Sequence, residues 1–252
     1  LELRTVLELV AVLGENAEFS VLCRASDASA TGLSEQLGKL ERWGFVKEAK
    51  AGYCFEHDLV RSSVYDSIPQ GQRCELHLRA GEALEAVHPD QVEKLAQHFE
   101  LGGTSKKAIG YTLQSADHAQ SLHDYGTAIG RYRTALASLS DPATRWNVRA
   151  HLEEALGVLG RREEQGAVLD EMLALAEELR DPLLRAQTRR RQGWLEVLAG
   201  EPKPALTLLD EAGRLARTAG HKNLLANCLV SAARAWWNIG NTSRCQAATE
   251  EA

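Results

Sequence analysis

The chain contains no apolar run approaching the roughly 18–20 residues that a membrane span requires. Its opening, LELRTVLELVAVLG, carries charge at Glu2, Arg4 and Glu8 and reads as an amphipathic helix rather than a signal peptide. There is no CxxC pair. The five cysteines (Cys23, Cys54, Cys74, Cys228 and Cys245) are odd in number and scattered, which points to reduced, packed thiols of a cytoplasmic protein. Positive charge is not in surplus either: the formal net charge is −6, which argues against general affinity for nucleic acid, because that needs a basic face to displace counterions. Catalytic signatures are missing as well. GxxxxGK[ST], GxGxxG after a strand, GxSxG and HExxH are all absent. The eight histidines do not gather with cysteines or carboxylates at ligand spacing; His118 and His123 are five apart, off any common helix face. His77, His98 and His151 sit in helical patterns and read as packed or partly exposed. An enzyme reading therefore has no residue to name, and neither a metal nor a cofactor is expected within this chain.

What is present is ordinary globular material. With 252 residues, 44% hydrophobic and 25% charged, the chain can form two domains, or one domain and a repeat array. It begins without Met and stops at CQAATEEA, inside a helical pattern, as expected of a fragment of a longer protein.

Residues 1–70 change period once. Leu3, Val6, Leu7, Val10 and Leu13 recur at helical steps and Gly14 follows. FSVLCRAS reads as a short second helix. Ser29 or Thr31 then caps a third, carrying Leu33, Leu37 and Leu40 on one face and closed by Gly44. FVKEAK, Ala51-Gly52 and YCFEH read as a hairpin with glycine at its turn. Three helices and a hairpin describe a winged helix. Its third helix offers Lys39 and Arg42 but also Glu35 and Glu41, and the wing sets Lys47 and Lys50 against Glu48. That near-neutral balance disfavours a major-groove reader. After the hairpin, His57 and Asp58 precede a helical pattern with Leu59, Val60, Val64 and Tyr65. Asp58 is expected to cap that helix.

Residues 71–252 are helical in pattern throughout. Asp90 and Thr104 are expected to cap successive helices. Gly160, Gly200 and Gly240 are 40 residues apart, with Glu153, Gly193 and Ala233 seven before them. HDYGTAIGRYRTAL fits the same frame with His123 at the glycine position, 37 residues before Gly160. Small residues follow at plus five and plus twelve: Ala128 and Ala135, then Ala205 and Ala212. A small residue in mid-helix, a tight turn and small residues in a second helix form the pattern of a tetratricopeptide helix pair, because the helices approach closely only where side chains are short. The expected fold is thus mainly α: a winged-helix domain over 1–70, then a tetratricopeptide-like α-solenoid over 71–252. Such an array leaves a groove lined by the first helix of each pair. Gln187, Arg190, Trp194, Asn227, Arg234 and Trp237 are its expected lining, a combination suited to a protein or peptide partner. Trp236 and Trp237 are adjacent, so one of them should be core, and Arg189-Arg190-Arg191 reads most simply as a solvated helix face.

FEHDLVRSSVYDSIPQGQRCELHLRAGEALE resembles the segment after the nucleotide-binding domain in STAND-class signalling ATPases, among them the MalT-like LuxR-type regulators and related bacterial ATPase–tetratricopeptide proteins. Phe55, His57, Leu59, Val60, Arg61, Val64, Tyr65, Pro69, Arg73, Leu76, His77 and Ala80 carry the likeness, and KLAQHFELGGTSKKAIGYTLQSADHA continues it. In the related NB-ARC proteins a Met-His-Asp motif lies at this junction, its histidine on the β-phosphate of ADP. His57 and Asp58 match its last two positions, and Glu56 replaces the methionine. The resemblance implies a non-catalytic regulatory segment whose full-length protein binds ATP and ADP in an upstream domain. His57 and Asp58 would sense the nucleotide, and the repeats would bind a protein, peptide or small-molecule inducer. The alternatives are a DNA-binding winged helix with a repeat tail and a plain protein-interaction scaffold.

Overall fold

The structure, a computed structural model, describes residues 3–103 and 105–252, so the cap expected at Thr104 lies outside it. Two compact units divide after His118.

The first unit opens with α1 (Leu3–Leu13), a 3-10 turn (Gly14–Asn16), α2 (Phe19–Ser26) and α3 (Ala30–Arg42). Gly14 leaves α1 at φ +84° and Gly44 leaves α3 at φ +72°. These left-handed conformations let the chain turn without a Cβ clash. The cap of α3 is Ser29, whose Oγ accepts from the Gly32 amide at 3.2 Å. Strands β1 (Val46–Ala49) and β2 (Gly52–Phe55) pair antiparallel, with Val46 opposite Phe55 and Ala49 opposite Gly52. Ala17 exchanges both backbone hydrogen bonds with Tyr53, at 2.8 and 2.9 Å, and so adds a one-residue third rung to the hairpin. That rung explains Gly52: its φ is +140°, and a Cβ there would lie 2.5 Å from the Ala17 carbonyl oxygen.

Helices α4 (Asp58–Ser67), α5 (Gln70–Val87) and α6 (Val92–Leu101) follow, then α7 (Ser105–Ser121), whose last turn contains the division. A single core joins Leu9, Leu37 and Val46 to Ile68, Leu76 and Phe99, and α5 packs on α1 and α2. Two expected caps are corrected here. Asp58 is the first residue of α4, whose N-cap is His57, with no side-chain cap bond. Its carboxylate instead faces the partial positive charge of the helix N-terminus. In α6 the N-cap is Gln91, while Asp90 contributes its carbonyl to the Val92 amide at 2.9 Å. Leu59, in the first turn of α4, is 85% exposed.

The second unit holds α8 (Tyr125–Ser138), α9 (Pro142–Val158), α10 (Arg162–Glu178), α11 (Pro182–Ala199), α12 (Pro202–Thr218), α13 (Lys222–Ile239) and α14 (Thr242–Glu251). Each helix touches the next in order. The connections are short, as antiparallel helix neighbours require. Helices α9, α11 and α13 start at residues 142, 182 and 222, so the 40-residue period is structural. Their N-caps are equivalent too. Asp141 accepts from the Thr144 amide, Asp181 from those of Leu183 and Leu184, and the His221 ring from that of Leu224. Gly160, Gly200 and Gly240 adopt φ +69°, +81° and +83°, and His123, at the same frame position, adopts +63°. The close approach is equally real: a Cβ on Gly193 of α11 would meet Leu209 Cγ of α12 at 2.7 Å.

Candidate functional site

The junction at His57 is an exposed corner. The Glu56 amide donates to Phe45 O at 3.0 Å, which ends the hairpin, and His57 O accepts from the amides of Val60 and Arg61 at 3.0 and 3.2 Å, which starts α4. His57 is itself extended, with φ −134° and ψ 128°. Its imidazole and the Asp58 carboxylate are both exposed, with no side-chain hydrogen bond among the described residues. Leu59 stands exposed beside them. The corner therefore offers a ring N–H, a carboxylate and an apolar side chain to whatever lies outside it.

The expected groove residues fall on two helices that touch each other. Gln187, Arg190 and Trp194 are on α11, and Asn227, Arg234 and Trp237 are on α13. The 40-residue frame makes Gln187 equivalent to Asn227, and Trp194 to Arg234. Asn227 and Arg234 are exposed, Trp194 is 37% exposed and Trp237 60%. Trp236 is the more covered of the adjacent tryptophans, with the Arg244 guanidinium 4.6 Å above its ring.

The arginine run divides sharply. Arg189 pairs with Glu211 at 3.1 Å, and Arg191 pairs with the buried Glu153. Arg190, between them, is half-buried with no hydrogen bond or ion pair to a described residue. Burial, with the neighbouring Arg191 adding to it, holds its pKa below the usual guanidinium value, against the pull of Cys228 and Glu153. Burial also pushes the Cys228 thiol up to about 11, against the effect of Arg190. A solvated face thus describes none of the three arginines well: two are cross-helix ties and the third is a partly desolvated cation awaiting an acceptor.

Sequence reasoning passed over a buried polar chain in the first unit. Tyr65 Oη lies 2.8 Å from His77 Nε2, and His77 Nδ1 lies 3.0 Å from His98 Nδ1. The two rings are 3% and 6% exposed. Burial lowers both pKa values to about 4, with Arg73 adding to the effect at His77, and His77 and Lys94 at His98. Both rings are therefore neutral at pH 7. Their spacing of 21 residues, across α5 and α6, leaves no local pattern to find.

No protein-family model matches the chain, and no curated protein does. Solved structures do. The apo form of RapI matches at TM-score 0.54 and 9% identity over 91% of this chain and 60% of its own, so this chain spans less than two thirds of that protein. BtubC (BKLC) from P. vanneervenii matches at TM-score 0.53 and 13% identity, over 92% of this chain and 89% of its own. These likenesses establish a mainly helical, tetratricopeptide-like repeat fold. A signal-transduction ATPase with numerous domains and a tetratricopeptide repeat sensor, from Pyrococcus horikoshii, matches at TM-score 0.49 and 16% identity over all of this chain and 44% of its own.

Proposed function

We propose that the chain is a non-catalytic regulatory segment of a signalling ATPase. In this reading residues 1–70 are a winged helix that relays the nucleotide state of an upstream domain, and residues 71–252 are repeats that bind a protein, peptide or inducer. The three helices, the antiparallel hairpin and the Ala17–Tyr53 rung support the winged helix. The sequence resemblance supports the upstream ATPase. The observation that carries the reading is the corner at His57: an imidazole, a helix N-terminus and the exposed Leu59 are presented together, and neither the His57 nor the Asp58 side chain has a hydrogen-bond partner among the described residues. An imidazole N–H donates to phosphate oxygen, and more strongly when protonated. Nucleotide and inducer would then bias one interdomain equilibrium, each changing the apparent affinity of the other.

The test is ADP and ATP affinity of the full-length protein, wild type against His57→Ala. Weaker ADP binding with ATP binding held is the expected result. Unchanged affinity for both nucleotides removes the sensor and leaves the groove as the functional surface. For the groove, the half-buried cation at Arg190 and the two exposed tryptophans favour a partner with a carboxylate near an apolar anchor. Arg190→Ala and Arg234→Ala should each weaken partner binding by about tenfold or more, close to 1.4 kcal/mol.

A further inference from the structure

A crevice of about 440 Å³ runs through the second unit between α12, α13 and α14. Helix α13 lines it with Leu225, Cys228, Leu229, Ala232 and Trp236. Those positions recur at three- and four-residue steps and form one face. Asn227, Arg234 and Trp237 fall on the opposite face of the same helix, so the crevice is separate from the groove. Leu206 and Leu209 of α12 extend the apolar wall. Leu206, Leu225, Leu229 and Trp236 are only half-buried, so apolar surface there is left wet. From Leu225 to Trp236 the helix rises about 16 Å, which makes the space long and narrow.

The 40-residue frame shows how that space arises. One repeat earlier, Leu173 and Leu208 stand where Gly213 and Ala248 line the crevice. Arg185, Arg189 and Glu196 stand where Leu225, Leu229 and Trp236 do. The space between α10, α11 and α12 is accordingly smaller, about 220 Å³, with Arg189, Gln192 and Glu196 in its wall. Between α12 and α14 the chain has exchanged bulk for room and charge for apolar surface.

Charge on the rim selects the kind of ligand. At the Leu225 end Arg217 is tied to Glu251 at 2.5 Å, a bridge from α12 to α14. Midway along α12, Arg214 is paired with Asp210 at 3.2 Å. At the Trp236 end the Arg244 guanidinium stands 4.6 Å above the tryptophan ring, with no ion pair to a described residue. Positive charge is thus left over at one end of a long apolar slot. We infer that this crevice binds a medium-chain fatty acid, its alkyl chain along Leu206, Leu225, Leu229 and Trp236 and its carboxylate beside Arg244. The alkyl chain supplies the affinity, because each methylene withdrawn from water is favourable. The guanidinium, being exposed, supplies only the choice of head group. This inference does not depend on the nucleotide or groove readings.

The experiment is calorimetric titration of the 252-residue chain with octanoate, butanoate and octylammonium at up to about 5 mM and about pH 7. Octanoate should bind. Butanoate, shorter by four methylenes, should bind at least about a hundredfold more weakly. Octylammonium, of opposite charge, should bind at least about threefold more weakly. Arg244→Gln should abolish that preference with the helical circular dichroism unchanged. Gly213→Leu/Ala248→Leu, which supplies the side chains of the preceding repeat, should melt no lower than wild type and weaken octanoate binding by about tenfold or more. If that variant does not fold, Arg244→Gln decides alone. The inference is overturned if octanoate does not bind, if butanoate or octylammonium binds as well, or if either variant binds like the wild type. Sedimentation of the ligand-free chain should show a monomer. A dimer that Gly213→Leu/Ala248→Leu dissociates would make the crevice an interface between copies and overturn the fatty acid.

Discussion

Gln165 Nε2 donates to Glu153 Oε1 across 2.6 Å, and both side chains are buried. In the repeat frame they hold the two positions occupied one repeat later by Gly193 and Ala205. One helix pair is therefore joined by a polar pair where the next is joined by the absence of side chains. Gly157 makes the exchange feasible: a Cβ there would lie 2.9 Å from Gln165 Nε2. Arg191 of the next repeat closes the arrangement on Glu153.

Removing one member should then cost more than removing the set. Arg191→Ala leaves a carboxylate that is 5% exposed with only an amide for company, and about 2–4 kcal/mol of stability should be lost. Glu153→Ala combined with Gln165→Ala recreates the small-residue solution of the following repeat and should stay within about 1.5 kcal/mol of wild type. Urea denaturation of the three proteins decides it. A double variant less stable than Arg191→Ala would show that the pair contributes in its own right.

Two buried glycines in neighbouring helices should respond to alanine with opposite signs. At Gly193 the new Cβ meets Leu209 Cγ at 2.7 Å and Ala205 O at 3.2 Å. Overpacking of that kind costs about 1–3 kcal/mol and outweighs the gain of roughly 1 kcal/mol in helix propensity. At Gly213 the nearest atoms are Leu225 Cδ1 at 3.7 Å and Cys228 Cβ at 3.9 Å, which is ordinary contact. Gly213→Ala should stabilise by up to about 1 kcal/mol. Thermal melts of both variants check the pair of signs.

The hairpin turn makes a stricter case. Gly52 combines φ +140° with backbone atoms of Ala17 and Glu18 within 2.8 Å of a hypothetical Cβ. Backbone cannot yield as a side-chain tip can. Gly52→Ala should cost more than about 2 kcal/mol and break the Ala17–Tyr53 rung. Faster amide exchange at Ala17 and Tyr53 is the specific readout, since a loss of stability alone would not locate the change.

What the sequence disclosed and what it hid follow the range of the interaction. The repeat period was legible because turns and caps are local: glycines at positive φ and side chains that cap over two or three residues recur every 40 positions. Even His123 could be placed from its neighbours alone. Asp58 and Asp90 were misassigned by one residue because a cap is defined by where the backbone enters the helix: Asp58 lies in the first turn of α4, where an aspartate is favoured too, and Asp90 lies one residue before the Gln91 cap of α6. Arg190 could not be told from Arg189 and Arg191, since what separates them is a carboxylate on another helix. The His77–His98 pair was invisible for the same reason.

That pair makes the stability of the first unit depend on pH in a defined window. Each ring has its pKa lowered from 6.5 to about 4 in the folded protein, chiefly by burial. Between those values the unfolded chain binds protons that the folded one refuses, so stability is fully present above about pH 6.5 and is lost as pH falls toward 4. One such shift is worth about 3 kcal/mol, and the two rings, in contact at 3.0 Å, share their titration. The positive groups facing them, Arg73 and Lys94, act in the same direction, because each disfavours a charged ring. The carboxylates held below their usual range, Glu18, Glu85, Asp124, Asp141 and Glu164, release their contribution only at lower pH, as each protonates through its depressed folded value. The first loss of stability on acidification should therefore be the histidines'. Urea midpoints measured from pH 7.5 to 4.5 should fall in the wild type and stay nearly level in His77→Gln/His98→Gln, which keeps polar groups at both positions and removes the titration. Equal slopes in the two proteins would assign the acid sensitivity to the carboxylates instead.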